Sequence, residues 1–175
     1  AEYVECPGCG LQALDPMPDA EAILGFYGRD YYGVGATKFV GGIDEVRNLF
    51  IARRARALMR RLSGRPRPRI LAIGCGSGTF VRYMGRLGAE IHATELPGAA
   101  YERAKSVPGL RLVAGDLSDE AFAPGSFDAI TLWHVFEHIR DPDALVRRCR
   151  RLLAPQGILI VEVPNRESWQ ARWTG

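Results

Sequence analysis

From Arg69 onward the chain alternates between short apolar runs and helical patterns, and few folds accept that alternation. Arg69–Ile73 predicts a buried strand, and a glycine turn leads from it into a helix over Thr79–Leu87 that Gly88 closes. Glu90–Thr94 predicts a second strand, followed by a helix that Pro97 opens and that runs to about Ser106. Leu110–Ala114 and Phe127–Leu132 predict a third and a fourth strand, with a helical stretch after the fourth. Asp141-Pro142 is a cap and first-turn pair for a helix ending near Leu153, with Leu145, Cys149, Leu152 and Leu153 on one face. Pro155-Gln156-Gly157 then turns the chain into a fifth strand, Ile158–Val163. Strands joined by crossover helices run parallel and are covered on both faces, which makes this an α/β fold.

The part before Arg69 reads differently. Residues 1 to about 42 predict an irregular arm: Asp15-Pro16-Met17-Pro18 is a turn, Asp19 caps a short helix near Ala20–Tyr27, and Gly28, Gly33 and Gly35 keep the remainder loop-like. Tyr27, Tyr31 and Tyr32 cluster there, either packing the arm or lining a ligand mouth. A helix follows over about Asp44–Leu62, with Ile51, Ala55, Leu58 and Leu62 on one face and its arginines largely on the other. Arg65-Pro66-Arg67-Pro68 is a stiff linker that cannot be helical. The division expected is an arm over 1–42 and a ligand-binding domain over 43–175.

Ile73-Gly74-Cys75-Gly76-Ser77-Gly78-Thr79 joins the first strand to its helix. Glycine serves where the backbone turns sharply or where a ligand must approach it, and the helix start beyond leaves N–H groups free for an anion. A dinucleotide loop spaced G-x-G-x-x-G would need glycine at position 79, where Thr79 stands. Glu95 follows about twenty residues after the loop, at the end of the second strand, where a carboxylate can accept both hydroxyls of a ribose. Gly115-Asp116-Leu117 places another acid at the end of the third strand, suited to an exocyclic amine. All three features lie at the carboxyl ends of neighbouring strands, where open α/β sheets bind ligands.

Ile70-Leu71-Ala72-Ile73-Gly74-Cys75-Gly76-Ser77-Gly78 resembles the first motif of the class I S-adenosylmethionine (SAM)-dependent methyltransferases. Glu95, Gly115-Asp116-Leu117, Ser126-Phe127-Asp128-Ala129-Ile130 and Leu153-Ala154-Pro155-Gln156-Gly157 follow in that family's order. Trp133-His134-Val135-Phe136-Glu137-His138 and Val163-Pro164-Asn165 are similar to its small-molecule and sugar subgroup, which often carries a CPxCG knuckle before a tyrosine-rich arm. The resemblance implies a Rossmann-like, doubly wound, mostly parallel sheet. It also implies a cofactor, SAM, bordered by Gly74, Cys75, Gly76, Gly78, Glu95, Leu96, Asp116, Leu117 and Trp133. Gly74, Gly76 and Gly78 would lie along its methionine part, Glu95 on the ribose, and Asp116 with the Leu117 backbone on the adenine. Trp133 either walls the pocket or fills the core. The family usually has an acid two residues before the first glycine, where this chain has Ala72, and seven strands, of which five are read here. The closing antiparallel hairpin is therefore expected outside this sequence.

Methyl transfer is an in-line displacement in which alignment does most of the work, and a nucleophile with a proton to lose benefits from a base. His134 is the first candidate for that base and His138 the second, the alternative being that both only stabilise the loop and helix. His134 to His138 also formally matches H-x-x-E-H, the inverted zinc-peptidase pattern, but no third ligand follows it.

Cys6-Pro7-Gly8-Cys9-Gly10 is a tight knuckle that could offer Cys6 and Cys9 to zinc, yet structural zinc wants four ligands and no second CxxC exists, so this is at most half a site. The formal charge of +3 is too small to argue for nucleic acid by itself. The arginines at 53, 54, 56, 60, 61 and at 147, 148, 150, 151 read as solvated helix faces rather than an RNA surface. No run is apolar enough to span a bilayer, Glu162 breaking the best one, and Ala1–Glu5 has neither the basic region nor the apolar core of a signal peptide. These features predict a cytoplasmic location and no membrane partner, and the resemblance implies an enzyme that transfers a methyl group to an oxygen, nitrogen or carbon of a small molecule such as a sugar or metabolite. The competing readings are a non-catalytic SAM-binding scaffold, an RNA methyltransferase and a nicotinamide-dependent oxidoreductase.

Overall fold

In a computed structural model of the chain, the residues described are 2–8, 10, 12–16, 18, 43–118, 121–165, 168 and 173. The chain divides into two compact units, Ala1–Val40 and Gly41–Gly175. In the first, β1 (Glu2–Glu5) pairs antiparallel with β2 (Gln12–Asp15), and the Gly10 N–H donates to the Cys6 carbonyl at 2.8 Å to close the connection. This hairpin replaces the irregular chain expected over residues 2–15. All four residues of β1 are exposed, so the strand buries no face and writes no apolar alternation into the sequence. The helix expected near Ala20–Tyr27 and the tyrosine cluster lie outside the described residues.

The second unit opens with α1 (Ile43–Arg61) and continues as β3 (Arg69–Ile73), α2 (Thr79–Arg86), β4 (Glu90–Glu95), α3 (Ala99–Ala104), β5 (Arg111–Ala114), β6 (Phe127–Trp133), α4 (Pro142–Leu152) and β7 (Leu153–Glu162). The five strands β3 to β7 form one parallel sheet in the order β5-β4-β3-β6-β7. From β3 the chain steps outward to β4 and β5, then returns to the other side of β3 with β6 and β7. The order reverses between β3 and β6, which opens a crevice beyond their carboxyl ends.

Alternation along β3 explains why both faces are covered. Ile70 and Ala72 join Ala55, Leu58 and Leu62 of the α1 segment and Phe80, Val81 and Met84 of α2 in one buried cluster. Leu71 and Ile73 point the other way, into a cluster with Ile130, Leu132 and the Leu145, Cys149 and Leu152 face of α4. Truncating a fully buried Leu such as Leu71 to Ala would cost about 2–5 kcal/mol. Helix α4 starts as its sequence predicts: Asp141 Oδ1 accepts the Ala144 N–H at 2.8 Å, with Pro142 in the first turn.

Two boundaries differ from expectation. Strand β7 begins at Leu153 rather than Ile158, because Pro155-Gln156-Gly157 forms an irregularity within the strand; Phe127 pairs with Leu153 and Ala129 with Ile158. Gly157 is required there, since a Cβ would stand 2.9 Å from the Ala154 carbonyl oxygen. The helical stretch after β6 is a single 3-10 turn, Phe136–His138.

Candidate functional site at the carboxyl edge of the sheet

The loop between β3 and α2 divides its glycines by task. A Cβ on Gly74 would meet Val135 Cγ2 at 2.6 Å, and one on Gly78 would meet Val107 Cγ2 at 2.7 Å, so these two let other segments pack onto the loop. At Gly76 a Cβ would meet nothing within 4 Å, and its φ of 58° is in the left-handed region. Gly76 thus borders open space. Helix α2 starts directly beyond with no side-chain cap and no acid in its first turn, so its leading N–H groups are available to an anion.

Glu95, the last residue of β4, closes onto this loop. Its Oε2 accepts the Gly76 N–H at 2.6 Å and its Oε1 accepts the Leu96 N–H at 3.2 Å. The side chain is only 7% exposed. Burial raises its pKa above the usual carboxylate value, the nearby Asp116 charge adds to that, and the two N–H donors oppose it. Main-chain bonds interlock the neighbouring strand ends: Cys75 N–H to the Thr94 carbonyl at 3.1 Å, and Gly115 N–H to the Glu95 carbonyl at 2.8 Å. Burial, followed by the Glu95 charge, pushes the Cys75 thiol up to about 12. Leu96 and Asp116 are exposed at the edge, whereas Leu117 turns its side chain into the core. The Leu117 carbonyl accepts from Arg148 at 3.4 Å.

At the end of β6, Trp133 packs edge-on against Phe80 with ring centroids 5.2 Å apart, and the Arg54 guanidinium lies 4.9 Å from the Trp133 ring centroid. His134 follows with φ 55°, unusual for a residue with a side chain. Its N–H donates to the Glu162 carbonyl at 2.9 Å, and its Nε2 stands 3.1 Å from Glu162 Oε1. Arg54 holds the other Glu162 oxygen at 2.7 Å. His134 Nδ1 and His138 Nε2 lie 3.8 and 3.7 Å from the same Glu137 oxygen. In the sequence Glu162 is only a break in an apolar run, and Arg54 lies on a helix face that reads as solvated. Their pairing depends on β6 lying beside β7, which no local spacing encodes.

The zinc-peptidase pattern needs its two histidines a helical turn apart, and the 3-10 turn at 136–138 does not supply that helix. Among the described residues no group of three or more His, Cys, Asp or Glu side chains could hold a metal ion. Cys6 is exposed, and its expected partner Cys9 lies outside the described residues. No helix among the described residues is long and apolar enough to cross a membrane.

Comparison with known proteins gives this edge a family. The ubiquinone biosynthesis O-methyltransferase of Xanthomonas campestris pv. campestris (strain B100) is 37% identical over 109 residues, 58% of this chain and 45% of that protein. The chain therefore spans under half the length of the curated relative it matches. The solved structure of the PH0226 protein from Pyrococcus horikoshii OT3 shares the fold, with a TM-score of 0.60 at 19% identity over 75% of this chain and 65% of that one. The N-terminal domain of EvdMO1 with SAH (S-adenosylhomocysteine) bound superposes with a TM-score of 0.52 at 26% identity, covering 59% of this chain and 46% of that one. The sequence profile described as a methyltransferase domain matches residues 47–175, and the chain belongs to that family.

Proposed function

We propose that this chain is the SAM-binding part of a methyltransferase acting on a small molecule, with residues 1–42 as an arm and 43–175 as the methyltransferase domain. One observation carries the reading: a buried carboxylate, Glu95, closes on a glycine loop whose middle glycine borders open space, at the point where the strand order reverses. A carboxylate offers about four lone-pair positions, and Glu95 spends two on Gly76 and Leu96. The remainder suit the two hydroxyls of a ribose. The uncapped start of α2 suits the carboxylate of a methionine moiety, and Asp116 with the Leu117 backbone suits an adenine. The donor set fits SAM.

SAM supplies a methyl group on a cationic sulfonium. What this chain contributes is alignment and a place for the acceptor's proton. His134, exposed beside the loop and tied to Glu162, is suited to take that proton, with His138 the second candidate. The relative's name, an O-methyltransferase, favours an oxygen acceptor. Ala72 favours a second reading, a non-catalytic SAM-binding module. It is buried in the apolar cluster at the position where the family usually has an acid.

Calorimetric titration with S-adenosylhomocysteine, beside NADH, tests the pocket. Saturable binding of the first alone, lost in Glu95→Ala and Asp116→Ala, is expected. NADH binding, or no binding by a cooperatively folded sample, would overturn it. Binding without turnover across a panel of hydroxylated acceptors would favour the non-catalytic module.

A further inference from the structure

A cavity of about 660 Å³ lies at the opposite edge of the sheet, where β4 and β5 begin. Arg67 from the linker, Arg82 and Arg86 from α2, and Arg111 from β5 all line it, against a single acid, Glu90. The wall carries a formal charge of +3 from these five side chains. Glu90 offsets part of this charge, at Arg111. One of its oxygens already takes His92 Nε2 at 3.0 Å and stands 3.6 Å from both Arg69 Nε and Arg111 Nη1. Arg67, Arg82 and Arg86 have no carboxylate partner among the described residues. Arg82 and Arg86 are four apart on one helix, a spacing at which like charges repel.

We propose that this cavity binds a ligand carrying two adjacent phosphate groups. Arg67, Arg82 and Arg86, all exposed along one concavity and without a carboxylate beside them among the described residues, offer guanidinium groups that suit phosphate oxygens, which arginine binds in pairs of parallel hydrogen bonds. A diphosphate brings enough negative charge to relieve the repulsion among these arginines. The volume is that of a small-molecule site rather than a track for a polymer. The arginines of α1 and α4, which an RNA strand would be expected to use, are on other elements. The cavity is separated from the glycine loop by the length of the strands, about 17 Å for a five-residue strand, so its occupant is distinct from the cofactor at the carboxyl edge.

The test is thermal melting of the chain with inorganic pyrophosphate, inorganic phosphate and sodium chloride at matched ionic strength, repeated on R82E/R86E and on R67Q. Saturable stabilisation by pyrophosphate is expected, at least about tenfold tighter than by phosphate. R82E/R86E should abolish it and R67Q weaken it, while calorimetric affinity for S-adenosylhomocysteine stays unchanged in both. Equal stabilisation by chloride, or pyrophosphate binding that survives R82E/R86E, would overturn the site. Phosphate binding as tightly as pyrophosphate would overturn the two-phosphate assignment. An RNA oligonucleotide that binds tighter than pyrophosphate, and loses that binding in R82E/R86E, would overturn the small-ligand assignment.

Discussion

His134 and Glu162 are joined twice, through the main chain at 2.9 Å and through Nε2 and Oε1 at 3.1 Å. The first bond continues the β6–β7 pairing one residue beyond Trp133 and Glu162, and it holds His134 at φ 55°. The second fixes how the ring points, while Arg54 keeps the carboxylate from turning away. A base oriented by a third group is a recurring arrangement in enzymes that activate a nucleophile. On the proposed function, His134→Ala is expected to lower kcat by about 10²–10⁴-fold. Glu162→Gln keeps the shape but weakens the orientation, and it should lower kcat by roughly tenfold. S-adenosylhomocysteine affinity should be unchanged in both. Steady-state rates with an acceptor found by panel, read beside calorimetry, check this; a Glu162→Gln enzyme with full kcat would reduce the contact to a structural one.

Glu95→Gln separates binding from stability. The folded-state pKa of Glu95 lies above its unfolded value, so the folded chain holds that proton more tightly. The stability this contributes is fully present below the unfolded value of about 4.5 and is lost as pH rises through the raised folded value. Glutamine can still accept the Gly76 N–H without a buried charge. Its amide nitrogen then faces the Leu96 N–H, a pH-independent cost, so the expected signature is that the variant's stability relative to the parent rises from pH 4 toward neutral pH. Losing hydrogen bonds to a charged acceptor costs about 1.5–3 kcal/mol, so affinity for S-adenosylhomocysteine should fall roughly ten- to a hundredfold. Denaturant titrations from pH 4 to 8 and calorimetry measure the two effects on the same protein.

The sheet and the acids at its edge were legible because parallel strands write themselves as short apolar runs. Ile70–Ile73 and Ala129–Leu132 are buried on both faces, Glu95 ends the buried run of β4, and Asp116 stands one glycine beyond β5. What escaped notice depends on neighbours far along the chain or on strands with no buried face. Glu162 and Arg54 meet His134 and Trp133 only once β7 lies beside β6. The β1–β2 hairpin is all surface along its first strand. Pro155-Gln156-Gly157 has turn chemistry, yet β6 pairs on both sides of it and the strand absorbs it as an irregularity. The roles of Gly74 and Gly78 in packing, as against Gly76 beside open space, also needed the positions of Val135 and Val107.

Cys75 stands in the glycine loop, where a reactive thiol would invite a catalytic reading, but burial and the Glu95 charge push it up to about 12. Burial, against an opposing backbone hydrogen bond, raises Cys149 to about 11. Thiolate is the nucleophilic form, so both should resist alkylation at pH 8. Peptide mapping after brief iodoacetamide treatment is expected to find exposed Cys6 modified and Cys75 and Cys149 largely spared. Rapid modification of Cys75 in the folded chain would mean that the loop opens, and with it the Glu95–Gly76 contact.

Asp128 ties the start of the sheet together, and its loss should be felt as stability rather than as binding. Its Oδ2 accepts the Arg69 N–H at 2.7 Å, and its Oδ1 takes the Arg65 guanidinium. Arg65 in turn donates to the Pro155 carbonyl at 2.8 Å, so one carboxylate links the linker, β3, β6 and β7. Asp128→Ala strands a main-chain donor and loosens that arginine, a change that should cost about 1.5–3 kcal/mol. Asp128→Asn retains an acceptor for the Arg69 N–H and should cost less. The contact is at the amino-terminal edge of β6, away from the glycine loop, so S-adenosylhomocysteine affinity measured below the melting transition should be unaffected. Denaturant midpoints for the two variants check the order. If Asp128→Ala left the midpoint unchanged, β3 and β6 would be held in register by their ladder and apolar faces alone.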